Sequence, residues 1–337
     1  MGLRVAIAGA TGAVGIEMIK VLERRNFPVS ELTLLASSRS AGKTLSYKGT
    51  DITVQELTED SFKGHDLALF SAGSGITKQF AGAVVKADCL LVDNSSAFRM
   101  DPNVPLVVPE VNPEAAAQHQ GIIANPNCTT IIMLTALAPL HRLVPMKRLV
   151  VATYQAASGA GQAAMDELAD STRAYLAGES FEPKVLPHPY AFNLFPHNSA
   201  LGANGYCEEE MKMVNETAKI TGDPDIRVNA TCVRVPVLRT HAEAINVEFG
   251  GELSVERAYE ALEKAPGVRV FEDRAKNRWA MPTDVAGQDD VFVGRLRQDP
   301  TQANTMDLWV VGDQLLKGAA LNAVQVAEVA LGVATPA

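Results

Sequence analysis

A strand-like run followed at once by a glycine-rich turn and a helical pattern constrains this fold more than any other feature. Residues 3–8 read LRVAIA, residues 9–15 read GATGAVG, and apolar residues then recur at helical spacing. Glycines let the backbone approach a pyrophosphate, whose charge meets the N–H groups and the positive dipole end of the helix. The pattern predicts a dinucleotide-binding turn, although Gly-x-x-Gly-x-x-Gly is weaker than the commoner G-x-G-x-x-G.

Further strand patterns extend this unit into a sheet. Four apolar runs follow the first one and alternate with helical or loop segments, at residues 31–37, 65–73, 89–95 and 121–125. Such alternation predicts an α/β fold with a Rossmann-type doubly wound parallel sheet. The second half carries longer strands with alternating faces, at residues 227–235, 239–249, 291–297 and 306–311. These predict a second, α+β domain with a mixed sheet, and a length of 337 residues suits two domains.

The end of the second strand selects the cofactor. An NAD-type site places an acidic residue there to hold the ribose 2′-hydroxyl. Here the strand runs into Ser37, Ser38, Arg39 and Ser40. A guanidinium and hydroxyls suit a 2′-phosphate, whereas a carboxylate would repel it, so the sequence favours NADP. A polar loop with a solvated arginine is the alternative.

Charge and cysteine usage exclude several classes of protein. A net charge of −9 argues against non-specific electrostatic binding of nucleic acid or anionic membranes. No uncharged apolar run reaches the roughly 18 residues that span a bilayer, and the N-terminus enters a strand pattern directly, which predicts a cytoplasmic protein. The four cysteines lie far apart without a Cys-x-x-Cys pair, so we expect neither a metal site nor a disulfide framework.

Cys128 is the candidate nucleophile. A single cysteine taken alone is more often a small buried hydrophobe. Asn127 and Cys128, however, follow a strand pattern and open an apolar helical run, so the thiol is expected at the carboxyl edge of the sheet. The N-terminus of a helix favours the thiolate, and its N–H groups can stabilise an oxyanion.

Two polar side chains in later strands are candidate partners of the thiol. His241 begins an alternating run and shares a face with Ile245, Val247 and Phe249, so it can serve as acid or base or as an ordinary strand residue. Arg234 lies in the preceding strand, and its planar fork suits a carboxylate.

A glutamate-rich helical segment leaves its register open. Residues 208–220 read EEEMKMVNETAKI, and Glu209 and Lys212 share one face at i, i+3 spacing. Such faces are often simply exposed to solvent and carry ion pairs, for instance between Lys212 and Glu216. Which of the three consecutive glutamates faces a site stays open.

Six blocks in order resemble the aspartate-β-semialdehyde dehydrogenases over nearly the whole chain: GATGAVG, SSRSAG, NPNCTT, YQAASGAG, EEEMK and RVPVLRTHAE. The resemblance implies that Cys128 forms the thioester and that His241 is the acid/base. It further implies that Arg234 and Glu209 hold the substrate's carboxylate and ammonium, while Arg99, Lys212 and Asn127 serve phosphate. Gln155 is expected to orient the acyl group.

The resemblance also implies the reaction. NADPH reduces L-aspartyl-4-phosphate to L-aspartate-4-semialdehyde, reversibly and with release of inorganic phosphate, in lysine, threonine, methionine and diaminopimelate biosynthesis. The thiolate displaces phosphate, hydride reduces the thioester to a thiohemiacetal, and the thiohemiacetal collapses to the aldehyde. Family members are usually homodimers. Two alternatives remain, an N-acetyl-γ-glutamyl-phosphate reductase, whose substrate lacks a free ammonium, and a non-catalytic NADP-binding sensor.

The candidate domains and cofactor contacts complete the expectation. The NADP-binding domain is expected at residues 1–128 with a returning C-terminal helix at 313–337, and the catalytic and dimerisation domain at 129–312. That helix would bring Gln314 to the cofactor. The candidate cofactor-binding residues are Gly9, Thr11, Gly12, Ala13, Val14, Ser37, Ser38, Arg39, Ser40, Ser71, Ala72, Gly73, Ser158, Gly159 and Gln314.

Overall fold

A computed structural model describes residues 2–333 of the chain. The chain divides into two units, the first comprising Met1–Asn127 with Ala319–Ala337 and the second comprising Cys128–Gly318. The expected domain limits at residues 128 and 313 remain predictions. Residue 1 and residues 334–337 of the expected first domain lie outside the described part.

The first unit is built on a parallel sheet of six strands, in the order β5-β2-β1-β6-β7-β8. Every neighbouring pair in that sheet is parallel, which confirms the expected doubly wound fold. β3 and β4 form a separate antiparallel hairpin, which the sequence patterns did not predict. The elements are β1 (Leu3–Ala8), α1 (Ala13–Arg24), β2 (Val29–Ala36), β3 (Thr44–Tyr47), β4 (Thr50–Thr53), β5 (Gln55–Glu56), β6 (Leu67–Phe70), α2 (Ser74–Lys86), β7 (Leu90–Asp93) and β8 (Ile122–Ala124).

The apolar runs of the sequence explain why these strands lie in the centre of the unit. All four residues of β6 and all four of β7 are buried, as expected for parallel strands covered on both faces. Phe62, Phe70, Phe80 and Leu91 belong to one core cluster against the sheet. The core therefore fixes the strand ends from which the polar loops emerge.

The second unit is built on a mixed sheet of seven strands, in the order β10-β11-β9-β12-β17-β16-β13. β11 runs parallel to β9 and β13 runs parallel to β16, while the other pairs are antiparallel, which confirms the expected mixed sheet. The elements are α3 (Cys128–Leu143), β9 (Met146–Gln155), α4 (Gln162–Ala177), β10 (Phe195–Pro196), α5 (Glu208–Thr221), β11 (Arg227–Arg234), β12 (His241–Phe249), α6 (Val255–Glu263), β13 (Val268–Val270), β14 (Glu272–Asp273), β15 (Arg278–Trp279), α7 (Pro282–Val285), β16 (Val291–Gln298) and β17 (Thr305–Gly312).

The C-terminal helix begins later than its alanine-rich pattern indicates. Gly312 ends β17, a π-helical turn spans Leu316–Ala320, and α8 (Leu321–Leu331) follows. The delay has a local cause, because the carbonyl oxygen of Asp313 accepts the N–H of Gly318, five residues on, at 3.2 Å, so the first turn is π-helical. The Asp313 carboxylate accepts the N–H of Leu315 at the start of that turn. α8 packs in the first unit beside α1, and Glu328 binds Arg25 through two hydrogen bonds of 2.6 and 2.8 Å.

Candidate active site

Two positions of the glycine turn in the first unit, Gly9 and Gly15, have no room for a side chain. Gly9 has φ +82°, and a Cβ on it would lie 2.4 Å from the carbonyl oxygen of Ser71. A Cβ on Gly15 would lie 2.2 Å from the carbonyl oxygen of Gly9. Gly12 precedes α1 in an extended conformation and, as a glycine, offers no side chain to cap that helix end. The turn therefore presents backbone N–H groups of the first helical turn, as an anion-binding cradle requires.

The other predicted cofactor residues of this unit line the same sheet edge. Ser37 follows β2 directly and its carbonyl oxygen accepts the N–H of Ser40 at 2.8 Å, so the segment turns sharply. Ser37, Ser38 and Arg39 are exposed. Ser71, Ala72 and Gly73 lie between β6 and α2, while Thr11, Ala13 and Val14 are half-buried in the glycine turn and in the first turn of α1.

A buried chain of amides supports the segment that leads to the cysteine. Arg99 donates to the carbonyl oxygens of Asn125 (2.9 Å) and Asn94 (2.8 Å). Asn125 donates to the side chain of Asn94 at 2.9 Å and accepts from Asn322 of α8 at 2.7 Å. Asn127 is also buried in this unit. Asn94, Asn125 and Asn322 were missed in the sequence, because no local pattern links residues so far apart.

Cys128 is the first residue of the 16-residue helix α3 in the second unit. Cys128 is half-buried, whereas Cys89, Cys207 and Cys232 are buried. A Cβ on Gly318 would lie 2.9 Å from the Cβ of Cys128 and 3.2 Å from that of Gln314. Gly318 therefore allows the cysteine and the π-helical turn to approach each other closely.

His241 begins β12 and is fully buried. The N–H of Ala156 donates to its Nδ1 at 3.0 Å, so Nδ1 carries a lone pair and the neutral ring holds its proton on Nε2. Burial, together with the positive charge of Arg234, lowers the pKa of His241 to about 3. Among the described residues Nε2 has no hydrogen-bond partner. The ring is therefore a neutral hydrogen-bond donor at neutral pH.

Arg234 ends β11 beside His241 and contacts a histidine that the sequence analysis missed. A Cβ on Gly159 would lie 3.1 Å from Nε2 of His241 and 3.2 Å from Nη1 of Arg234, so these three residues meet. Nη2 of Arg234 donates to Nε2 of His197 at 2.8 Å, and burial lowers the pKa of His197 to about 4. His197 lies in a stretch with little regular structure, which left no periodic signal for it.

Gln155, Glu209 and Lys212 form the other half of the cluster. Gln155 ends β9 opposite Arg234, and its Nε2 donates to Oε1 of Glu209 at 3.1 Å. Oε2 of Glu209 binds Nζ of Lys212 at 2.9 Å. Glu208 is exposed and Glu210 accepts the N–H of Cys207 at 2.9 Å, so Glu209 is the glutamate that reaches Gln155.

Ser158 and Gln314 are joined in the second unit. The Nε2 of Gln314 donates to Oγ of Ser158, and its Oε1 accepts the N–H of Thr240 at 2.8 Å. Both side chains are buried. The structure thus brings Ser158, Gly159, Gln314, Cys128, His241, Arg234, Gln155, Glu209 and Lys212 into one unit. It keeps the glycine turn, the serine-arginine loop, Arg99 and Asn127 in the other unit.

The chain combines a parallel sheet that carries a glycine cradle with a mixed sheet that carries these side chains. Together these features define a nicotinamide-dinucleotide-dependent oxidoreductase. Two family models agree with this class. Residues 4–119 match the semialdehyde dehydrogenase NAD binding domain, and residues 137–317 match the semialdehyde dehydrogenase dimerisation domain.

Curated relatives match along nearly the full length. The chain is 60% identical over 326 residues to the aspartate-semialdehyde dehydrogenase of Synechocystis sp., covering 97% of this chain and 96% of the relative. It is 49% identical to the enzyme of Bacillus subtilis, covering 97% of each. The chain belongs to the aspartate-semialdehyde dehydrogenase family.

Solved structures agree. Aspartate semialdehyde dehydrogenase II of Vibrio cholerae, complexed with ASA, is 46% identical and superposes with a TM-score of 0.96 over 99% of both chains. A probable aspartate-semialdehyde dehydrogenase of Pseudomonas aeruginosa is 28% identical, with a TM-score of 0.93 over 99% of both chains.

These findings confirm the main interpretation of the sequence over its two alternatives. The chain is an oxidoreductase of amino-acid biosynthesis that acts on a small aldehyde with NAD(P). Within residues 2–333, no helix combines the length and apolar character needed to cross a membrane.

Proposed function

We propose that this chain interconverts L-aspartyl-4-phosphate and L-aspartate-4-semialdehyde with NADP(H), through a thioester on Cys128. The observation that carries the proposal is a buried cluster with opposite charges. Arg234 is 5% exposed, and its Nε has no partner among the described residues. Glu209 is also 5% exposed and lies across Gln155. An arginine and a carboxylate in one cluster suit a substrate with a free α-carboxylate and a free ammonium.

Cys128 is the nucleophile in this account. As a thiolate it attacks the acyl carbon of aspartyl phosphate, the carbon–oxygen bond to phosphate breaks, and inorganic phosphate leaves. The start of α3 supports the thiolate through the helix dipole, and the N–H groups of that turn stabilise the oxyanion that forms. When the thiohemiacetal later collapses, the sulfur leaves with its electron pair and regenerates the thiolate.

His241 assists through Nε2. With Nδ1 accepting from Ala156, the neutral ring donates a hydrogen bond towards the acyl oxygen. Gln155 orients the same acyl group without adding charge. Proton removal from the thiohemiacetal hydroxyl by His241, as the family resemblance implies, requires the other tautomer and loss of the bond from Ala156.

Phosphate binding is assigned to Arg99, Lys212 and Asn127. Arg99 is 8% exposed and its guanidinium is oriented by two carbonyl oxygens, while the Lys212 ammonium binds Oε2 of Glu209 at 2.9 Å. Each of these side chains, two cations and an amide, suits inorganic phosphate in a protein of net charge −9. This supports phosphorolysis of the thioester over plain hydrolysis.

The residues of the first unit fit NADP. A Cβ at Gly9 or at Gly15 would clash with neighbouring backbone, and the start of α1 offers N–H groups to a pyrophosphate. Arg39 with Ser37, Ser38 and Ser40 would hold the 2′-phosphate, and Ser71 to Gly73 lie at the next strand end. NADPH, when bound, supplies the hydride that reduces the thioester. Ser158, Gly159 and Gln314 would complete the contacts.

A homodimer in the cytoplasm is the expected form. The match of residues 137–317 to a dimerisation domain supports self-association. Cys89, Cys128, Cys207 and Cys232 are free thiols, and free thiols are typical of a reducing compartment.

Substrate choice is the direct test. The parent should oxidise L-aspartate-4-semialdehyde with NADP and phosphate and should leave N-acetyl-L-glutamate-5-semialdehyde unchanged. Glu209→Gln should raise KM for the aspartyl aldehyde at least about tenfold, since a charged hydrogen bond is lost. Glu208→Gln, on the exposed neighbour, is the matched control and should leave KM unchanged. Equal rates on both aldehydes, or an unchanged KM in Glu209→Gln, would refute the assignment.

A further inference from the structure

Thr240 has a backbone conformation that its side chain disfavours. Its φ is +83°, in the left-handed region, and the residue is completely buried directly before His241. A β-branched residue rarely adopts this region, because its side chain crowds the backbone. Such a conformation persists only where the surroundings hold it, and it is often found at functional sites.

Gln314 holds this backbone. Its Oε1 accepts the N–H of Thr240 at 2.8 Å, and its Nε2 donates to Oγ of Ser158. The oxygen and the nitrogen of the side-chain amide therefore both form hydrogen bonds, and Gln314 is only 2% exposed. A relaxed Thr240 with negative φ would point its N–H away from this acceptor.

Asp313 binds Arg239, which precedes Thr240 just before the start of β12. Its Oδ2 accepts Nε of Arg239 and the N–H of Gly287, each at 2.7 Å, and its Oδ1 accepts the N–H of Leu315 at 3.0 Å. Asp313 is completely buried. Two consecutive residues, Asp313 and Gln314, thus hold two consecutive residues, Arg239 and Thr240.

The backbone conformation of Thr240 determines the direction in which the side chain of His241 projects. The N–H of Ala156 fixes one side of the His241 ring, and the other side packs against Gly159, where a side chain would crowd Nε2 because an added Cβ would lie 3.1 Å from it. A change of φ at Thr240 would rotate the plane from which His241 projects. Because the fit is this tight, the ring would lose its bond to Ala156.

We propose that Asp313 and Gln314 are positioning residues, which hold Thr240 in the left-handed region and so aim Nε2 of His241. We name the pair the strand-entry clamp. The inference rests on the proposed function of His241 and goes beyond a cofactor contact of Gln314.

Glycine at position 240 provides the test, because glycine adopts positive φ without cost. Gln314→Ala should lower kcat at least about tenfold. Thr240→Gly should cost at most a few-fold, and the double variant should recover at least about threefold in kcat over Gln314→Ala. KM for NADP should stay at the Gln314→Ala value in the double variant. A double variant no faster than Gln314→Ala would overturn the clamp, as would rescue of KM alone.

Asp313→Asn is the second arm, since it keeps the shape and removes the charge that binds Arg239. We expect kcat to fall several-fold with both KM values unchanged, and Thr240→Gly to restore part of it. Thermal unfolding checks that each variant is folded. A folded Asp313→Asn protein with the parent's kcat would contradict the proposal.

A spectroscopic readout separates this inference from the reaction itself. In protein labelled with ¹⁵N-histidine, the His241 signal is assigned by its loss in His241→Asn. The parent should show the Nε2–H tautomer, Gln314→Ala should lose it, and Gln314→Ala with Thr240→Gly should regain it. This result stands even if the parent fails to oxidise L-aspartate-4-semialdehyde, in which case the substrate assignment fails alone. An unchanged signal in Gln314→Ala would refute the clamp.

Discussion

His241 and Glu243 lie two residues apart on the inner face of β12 and respond to burial in opposite ways. Burial lowers the pKa of His241 to about 3, with Arg234 adding to the effect. Burial raises the pKa of Glu243 well above its ordinary value. Both oxygens of Glu243 lack a partner among the described residues. Burial therefore shifts both groups towards their neutral forms.

Replacing Glu243 by Gln should make stability less dependent on pH. The folded protein keeps a proton on Glu243 that the unfolded chain releases above about pH 4.5. This contribution to stability is complete below that pH and is lost as pH rises towards the raised pKa. Glu243→Gln avoids the loss, so its stability relative to the parent should increase with pH, by up to about 1.4 kcal/mol per unit.

Urea unfolding at several pH values between about 5 and 8 measures this difference. Glu248→Gln, on the half-buried opposite face of β12, is the control and should show no such trend. A difference between Glu243→Gln and the parent that is constant with pH would show that Glu243 ionises normally.

Individual functional residues could be predicted from the sequence where a local pattern of strand, turn or helix surrounds them. Cys128 follows an Asn-Pro-Asn turn and precedes a helix, and His241 begins an alternating strand, so both could be named. His197 and Asn322 could not, because their partners Arg234 and Asn125 are distant in the sequence. The tautomer of His241 depends on a backbone N–H from another strand, which no sequence pattern encodes.

Elements with strong periodicity were predicted well. The strand patterns at residues 3–8, 227–235 and 239–249 correspond to β1, β11 and β12. The β3–β4 hairpin was missed, since its strands are four residues long and half exposed. The predicted start of α8 was wrong because an alanine-rich pattern does not show that the chain makes a π-helical turn after Asp313, before the α-helix begins.

The position of α8 yields a prediction for Asn322. Its Nδ2 donates to Oδ1 of Asn125 at 2.7 Å and to the carbonyl oxygen of Val107 at 3.1 Å. Asn322→Leu leaves both acceptors buried without that donor, which should cost about 1–3 kcal/mol. Activity should fall as well, since Asn125 precedes Cys128 by three residues.

Urea unfolding and turnover measure both effects. Val329→Ala, exposed on the same helix, is the control and should change stability by less than about 0.5 kcal/mol. If Asn322→Leu were as stable and active as the control, the amide chain would have no supporting role.

The whole molecule has an apolar surface on its second unit that suits self-association. Tyr175 and Phe192 pack with ring centroids 4.7 Å apart, although they are 63% and 64% exposed. Phe192 and Leu238 line one surface cavity together with Leu168 of α4. Contiguous exposed apolar patches of this kind often mark protein interfaces.

Phe192→Asp should therefore weaken the proposed self-association. Sedimentation at several concentrations should give the mass of two chains for the parent and a lower mass, approaching one chain at low concentration, for the variant. Leu143→Asp, exposed at the end of α3, is the control and should remain dimeric. A parent that sediments as one chain at all concentrations would contradict the dimer, and a dimeric Phe192→Asp would exclude this patch.

The thioester on Cys128 is tested most directly by a rapid-mixing measurement of NADPH formation from L-aspartate-4-semialdehyde and NADP, with and without phosphate. The account predicts steady turnover with phosphate. Without phosphate it predicts a burst of about one NADPH per active site, because the acyl group stays on the sulfur. Cys128→Ser should show neither. Steady turnover of the parent without phosphate, or turnover by Cys128→Ser at the parent's rate, would contradict the account.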